Sequence, residues 1–364
     1  MAVPIIRFAG VGDIALSHVY NGLLLEKGPN YPFDKVISLF RDKDILFGNL
    51  EAPISIRGET YPLKCGLRTR PEYISGIRDA GFSVLSLANN HILDYGEDAF
   101  YDTLDTLRRH DIKFFGAGVN LVEARKPEIL EVNNLKVGFL GYCDVVIDSP
   151  FYATPSSRGI APMKIEYVKE DVGILKERAD IVVVSLHWGI ENWTYPSPSQ
   201  KKTARKIIDY GADLILGHHP HVLQGIEKYR DGVIVYSLGN FMFSDINWTW
   251  ENNRGDKVTS SVILRRENRS TIIFSAAFTM HGISSFDLVP CLISESLQPI
   301  PKRDSVTGIR DMARLSKRIC SSNYATFWYF YVFSRKMKSN LVRYSKKIRK
   351  IPRLAGRLLK QVLG

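Results

Sequence analysis

Residues 214–225 read LILGHHPHVLQG, placing His218, His219 and His221 within four positions of a 364-residue chain that holds only eight histidines. Imidazole gathered directly after an apolar run is suited to metal ligation, since a neutral ring nitrogen is a ready ligand for divalent ions. On an extended backbone side chains alternate. His219 and His221 are therefore expected to point one way, and His218 elsewhere, packed or behind the ligands.

Four further apolar runs end in the same kind of chemistry: Gly12-Asp13, then Gly48-Asn49-Leu50-Glu51, then Asn89-Asn90-His91 with Asp94, then His187-Trp188-Gly189. In open α/β sheets the loops beyond the carboxyl ends of strands converge on one site. Carboxylate, amide and imidazole groups from several strand ends suit a two-metal centre, in which a carboxylate bridges two cations and neutral nitrogen and oxygen ligands fill the shells. The mixture fits Mn²⁺, Fe or Zn²⁺, with Mg²⁺ also compatible, better than a thiolate-seeking metal. Plainer roles exist for each segment: Asp13 as an N-cap, Asn89-Asn90 as a turn pair, His187 as a packed core histidine. The order and number of the segments favour ligation. His18 and His110 read as structural or surface residues. His281 is open between an approach to the site from the second sheet and no role there.

The elements that must position these groups alternate in type. Strands are predicted at 5–14, 44–51, 82–90, 113–118, 179–189 and 212–221, and helices at 71–80, 95–109 and 199–211, the last closed by Gly211. Hairpins are predicted around Asn133-Asn134, at Asp231-Gly232, and over 260–278 turning near Asn268. A closing helix is expected at 305–319. Strands alternating with helices, followed by hairpins, predict a mixed α/β sandwich.

The net charge of +11 is local. Residues 334–364 carry 11 Lys or Arg and no acid, leaving 38 basic and 38 acidic residues in the body. This divides the chain into a balanced domain, 1–300, and a helical, aromatic and then basic extension, 301–364. The extension reads first as a surface helix on anionic membrane, second as a nucleic-acid arm and third as partly disordered. Charge alone is poor support for nucleic acid. Cys65, Cys143, Cys291 and Cys320 form no CxxC pair, which argues against a structural zinc site and points to a reducing compartment. MAVPIIRFAGVGDIAL lacks the form of a signal peptide, and ATFWYFYVF is too short to span a bilayer. The expected location is the cytoplasm or the inner face of the membrane.

The segments GDIALS, GNLEAPI, LANNHILDYG, HWGIE, GHHPHVLQG and YSLGNFMF together resemble the successive motifs of the bacterial CapA/PgsA capsule-synthesis proteins (PGA_cap), a branch of the calcineurin-like metallophosphoesterases. The resemblance covers roughly residues 5–245. It implies a four-layer αββα sandwich, a dinuclear metal site and a role in making a capsular polymer such as poly-γ-glutamate or exopolysaccharide. It further implies that Asp13 holds one metal, that Glu51 (or Asn49) bridges, and that Asn90 binds the second metal. His187, His219 and His221 then complete the shells. His91 is the implied general acid, oriented by Asp94, and a metal-activated hydroxide the implied nucleophile. Two positions depart from the broader phosphoesterases: Asp13-Ile14-Ala15 replaces Asp-x-His, and Glu51 stands where Asp is usual. Ser237–Phe241 is read equally as a tight strand exit or a substrate contact. Arg68 and Arg70 are read as a solvated loop or as recognition of an anionic substrate.

The expected function is a metal-dependent hydrolase or transferase of capsular polymer synthesis, with an anionic polymer or phosphate ester as substrate. The alternative is a non-catalytic assembly protein docked to the subunits of a membrane-associated polymer-synthesis complex. A nucleic-acid phosphodiesterase ranks third.

Overall fold

The computed structural model describes residues 4–61, 65–145, 151–251, 255–302 and 306–337. In chain order its strands are β1 (Ile6–Ile14), β2 (Ile45–Leu50), β3 (Val84–Ser86), β4 (Lys113–Phe115), β5 (Ala117–Gly118), β6 (Glu128–Val132), β7 (Leu135–Cys143), β8 (Gly159–Ile160), β9 (Ile181–His187), β10 (Leu214–His218), β11 (Ile226–Tyr229), β12 (Gly232–Val235), β13 (Asn240–Met242), β14 (Ile246–Glu251), β15 (Lys257–Val262), β16 (Ser270–Thr279), β17 (Gly282–Ile293) and β18 (Pro299–Pro301).

Most of these build two sheets. One runs β18-β17-β16-β1-β2-β3-β4, with β13 beside the end of β1; the other runs β11-β12-β10-β9-β7-β6. In the first sheet β1 to β4 run parallel and β16 to β18 antiparallel; in the second β7, β9, β10 and β12 run parallel, flanked by antiparallel β6 and β11. Parallel strands covered on both faces read as unbroken apolar runs, as IVVVSLH of β9 does. Between the sheets, Phe8, Phe47, Phe115 and Phe274 meet Val137, Phe139, Val183 and Leu216. Phe47 and Phe139 stack at 6.5 Å and 6°. Burying each such side chain contributes about 1.5–3 kcal/mol.

The outer face of the first sheet, through Val11, Leu46 and Leu85, packs on Ile77 of the helix Ile74–Asp79 and on Phe100 and Leu104 of the helix Gly96–Arg109. On the second sheet, glycines let helices lie close: a Cβ on Gly138 would meet Leu175 of Ile165–Lys176, and one on Gly232 would meet Ile208 of Pro198–Asp209. The layers are helix, sheet, sheet, helix, a mixed α/β sandwich as the sequence predicts. Helix Pro198–Asp209 starts with Pro198 and a Ser197/Gln200 capping box.

Several boundaries differ from the sequence reading. The run 82–90 is strand only over Val84–Ser86, because Asn89 onward leaves the sheet for the site. The run 113–118 breaks at Gly116, whose φ of 85° divides β4 from β5. The hairpin at Asn133-Asn134 forms with φ of 53° and 61°. The next hairpin turns on Arg230-Asp231, one residue earlier than expected: Tyr229 pairs with Gly232, and Arg230 takes φ 52°. The expected hairpin over 260–278 does not form. β15 pairs with β14, β16 pairs with β1 and β17, and the short helix Arg266–Arg269 lies between them.

The chain divides after Ile319 rather than at 300. Met312 and Leu315 of helix Val306–Ile319 join the inter-sheet core, and Ser316 Oγ accepts the Ile226 N–H at 2.9 Å. In the second unit, 324–337 is helical, with Tyr329, Phe330 and Phe333 exposed. Residues 338–364, which carry most of the basic excess, lie outside the described residues. Among the described residues no helix is long and apolar enough to cross a membrane.

Candidate metal centre

Strand register brings the chemistry level. β1 sets Asp13 opposite Asn49 of β2 and opposite Asn240 of β13, while β9 sets His187 opposite His218 of β10. Two glycines allow the close approach beside them. A Cβ on Gly12 would stand 1.8 Å from the Gly239 carbonyl oxygen, and one on Gly217 2.0 Å from that of Tyr236. Asp13 N–H then donates to Gly239 O at 3.0 Å.

Asp13 is held on both oxygens. Oδ1 accepts from Asn49 Nδ2 at 2.9 Å and from His218 Nδ1 at 3.0 Å. Oδ2 lies 3.4 Å from the His219 backbone N–H and 3.4 Å from His221 Nδ1. Asn89 in turn donates to Asn49 Oδ1 at 3.2 Å and Leu50 O at 2.8 Å. Asn49 thus offers its nitrogen to Asp13 and, at 3.4 Å, to His187 Nδ1. Glu51 Oε1 is 3.6 Å from His187 Nε2, 3.7 Å from His221 Nε2 and 3.9 Å from His91 Nε2.

The imidazoles are oriented by their other nitrogen. His221 Nδ1 faces Asn240 Oδ1 at 2.8 Å as well as Asp13, so Nδ1 carries the proton and Nε2 turns to Glu51. His187 Nε2 and Asn90 Oδ1 meet at 2.6 Å. The His219 ring lies 4.9 Å from that of His187 and 5.8 Å from that of His221. His91 Nδ1 bonds Asp94 Oδ2 at 2.7 Å, and the same oxygen accepts the Leu67 N–H at 2.8 Å.

Burial sets the charge states. It works to raise the Asp13 carboxyl, but hydrogen bonds from His218 and His221 hold it well below its usual range. Burial and then the neighbouring Asp13 push Glu51 well above its usual range. Burial and then His219 push His187 well below the ordinary imidazole value. Burial and then His221 lower His219 to about 3. At His221 burial acts downward, but Glu51 and Asp13 overcome it and raise the ring to about 10.

The donor set fits divalent cations. Glu51 is fully buried, yet among the described residues neither of its carboxylate oxygens has a hydrogen-bond partner, and the same holds for His219 Nδ1. Unmet buried acceptors are costly unless a cation completes them. Among the described residues three overlapping groups could hold an ion: Glu51-His187-His219, Asp13-Glu51-His221 and Glu191-His219-His221.

His218 sits behind the site, bonding Asp13 and packing 5.7 Å from the Phe47 ring. His219 and His221 converge for a reason other than strand alternation. Both have left-handed backbones, φ 91° and 54°, in the turn after β10. Ala15, where the broader pattern has a histidine, packs in an apolar cluster with Ala52, Leu67 and Phe243. His281 is exposed in the turn joining β16 to β17, at the end of β1 remote from Asp13. The sequence reading missed Glu191 as a donor, although it ends the segment HWGIE. It also missed the part of Asn240, which holds His221 and is itself tied to Asn268 O at 3.1 Å.

Two stacked mixed sheets thus bring carboxylate, amide and imidazole groups together from their strand ends. The chain belongs to the family of bacterial capsule synthesis proteins, PGA_cap, which it matches over residues 7–245. It is 32% identical to the capsule biosynthesis protein CapA of Bacillus anthracis over 315 residues, 84% of this chain and 72% of that one. It is 33% identical to the PGA biosynthesis protein CapA of Bacillus subtilis over 318 residues, 86% of this chain and 78% of that one. Among solved structures it is similar to one described as a novel phosphatase from Mycoplasma pneumoniae, with a TM-score of 0.47, 12% identity, and 80% and 95% of the two chains covered.

Proposed function

We propose that this protein is a metal-dependent hydrolase or transferase acting on an anionic polymer in capsule synthesis. One observation carries the reading: the buried Glu51 carboxylate, without a hydrogen bond among the described residues and ringed by Asp13, His91, His187 and His221. In this reading Asp13 and His221 would hold one ion and Asn90, His187 and His219 the other, with Glu51 within reach of both sets. Glu191 extends the donor set on the exposed side. Bound divalent ions supply there a lowered pKa for water and polarisation of a phosphoryl or carbonyl oxygen. The chain's own residues supply orientation and proton transfer. His218 and Asn49 fix Asp13, and Asn240 fixes His221. Asp94 fixes His91 with Nε2 toward the site, where it donates a proton to the leaving group.

Metal loading has a proton signature. Ligation needs base forms, and the metal-free site keeps protons on the Glu51–His221 pair because both groups are raised. Adding Mn²⁺ or Zn²⁺ to stripped protein at pH 7 is expected to release about one proton or more per site. Calorimetry in two buffers of different ionisation enthalpy measures this. Heats independent of the buffer would show that the pair holds no such proton.

A non-catalytic assembly role is the second reading. Ala15 favours it, since the first ion would have one imidazole fewer than in the broader pattern. Metal-loaded and metal-stripped protein, assayed on phosphate esters, phosphodiesters and γ-glutamyl amides, separate the two. Metal-dependent turnover of any one supports the enzyme; stoichiometric metal with no turnover of all three supports assembly.

A further inference from the structure

Beside the metal centre lies an open groove of about 410 Å³ that the reading above leaves unused. Its described lining includes Arg68, Arg70, His18, Asn21, Ser55 and Tyr95, and no Asp or Glu. Three acids nearby are committed elsewhere. Glu72 pairs with Arg70 at 2.6 Å, Asp102 accepts from Arg57 and Ser55, and Asp94 serves His91 and the Leu67 N–H. Arg68 is the principal cation. Its guanidinium lies 4.1 Å over the Tyr95 ring, which fixes its plane. Its only hydrogen bonds among the described residues are 3.5 Å contacts to the carbonyl oxygens of Ile56, Arg57 and Gly58, at the outer limit for such a bond. A closer oxyanion would displace them, because a guanidinium fork matches carboxylate or phosphate with two parallel bonds.

The groove and the proton-transfer pair share two short segments. Arg68 follows Leu67, whose N–H holds Asp94 Oδ2, and Tyr95 follows Asp94. His18, bonded through Nε2 to Gly66 O at 3.1 Å, lies within electrostatic reach of both Asp94 and His91. A substrate chain whose reacting bond sits against His91 therefore has the groove next along its length.

We propose that this groove is an anion subsite, in which Arg68, seconded by Arg70, grips an oxyanion one unit away from the reacting bond of a polyanionic chain. The proposal rests on the metal centre being the reaction site, and its test reads binding rather than turnover. The oxyanion is a side carboxylate of the polymer or a phosphate, two sources of one chemistry.

Calorimetry on the full, metal-loaded chain tests it with three probes: a γ-linked hexaglutamate, its side-chain-amidated analogue and inorganic phosphate. The hexaglutamate is expected to bind roughly tenfold or more tighter than the amidated analogue, and Arg68→Gln to erase that preference with metal content unchanged. Arg68 stacks on Tyr95, so a second variant guards against a disturbed loop. Ile56 is 67% exposed, and Ile56→Glu places a like charge at the groove without removing core packing. It is expected to weaken the oxyanion probe about threefold. Loss confined to hexaglutamate in Arg68→Gln identifies the carboxylate; phosphate affinity lost instead, or in step, identifies phosphate. Either supports the subsite. Wild-type affinities for hexaglutamate and phosphate that both survive Arg68→Gln and Ile56→Glu overturn it, as does a wild type that binds neither. A protein that binds the oxyanion through Arg68 but turns nothing over counts against the catalytic reading and leaves the subsite standing.

Discussion

Replacing Glu51 with Gln is expected to leave the metal-free protein at least as stable as the wild type, while removing the stabilisation that metal confers. The two effects have opposite signs for one reason. Without a cation the Glu51 carboxyl is fully buried, without a hydrogen bond among the described residues and close to Asp13, so its ionised form opposes folding and its pKa is pushed up. Gln keeps the volume and spares the metal-free fold the cost of protonating a carboxyl that is ionised in the unfolded chain at neutral pH. With cations, the same carboxylate is the group that faces both sets of donors, and an amide cannot replace its charge. A ligand present at a thousandfold excess over its Kd stabilises the native state by about 4 kcal/mol. For a domain of this size that is a Tm shift on the order of 10 °C. The wild type is expected to show such a shift on adding Mn²⁺ or Zn²⁺ and Glu51→Gln to lose most of it. Turnover is expected to fall ~10³-fold or more, the equivalent of several kcal/mol of charge stabilisation. Paired thermal melts with and without metal check the account. A variant that melts well below the metal-free wild type, yet keeps the full metal shift, would place Glu51 in the scaffold instead of the metal shell.

His91→Asn is expected to lower kcat by about 10²- to 10⁴-fold on substrates with poor leaving groups, the usual contribution of a placed general acid. The loss is expected to be far smaller on a nitrophenyl ester, whose phenolate departs without needing a proton. Metal content should not change, because the metal groups do not depend on His91. The geometry behind this is the Asp94–His91 bond at 2.7 Å, which turns Nε2 toward the site, 3.9 Å from Glu51. Steady-state kinetics on the two leaving-group classes, with metal analysis of the same preparations, tests it. Equal losses on both substrates would remove the proton-donor role.

The strand ends were legible in the sequence for a physical reason. Strands buried on both faces appear as unbroken apolar runs, so polar groups following them stand out, as Asp13 does after FAGVG and His187 after VVVSL. The partners of those groups were less legible. Asn240 lies 19 residues from His221, and only the pairing of β13 with β1 brings it alongside the site. Strand pairing at 260–278 was misread because two β-prone runs flanking a polar turn look like a hairpin whether or not they pair. Here the tertiary partners, β14 for one and β1 with β17 for the other, decide. Alternation along LILGHHPH placed His218 behind the ligands, but the left-handed turn at His219 and His221 is invisible to a period-two argument. The first unit extends to Ile319 because Met312 and Leu315 are buried on the inter-sheet core, a contact composition alone does not reveal.

The most direct test of the central claim is the metal content of the purified protein, stripped, reloaded with Mn²⁺ or Zn²⁺, and freed of unbound ion. The wild type is expected to carry about two equivalents, as a dinuclear centre requires, and a His219→Ala, His221→Ala variant clearly less. Under one equivalent in the wild type, unchanged in that variant, would contradict the assignment of these strand ends as a metal centre.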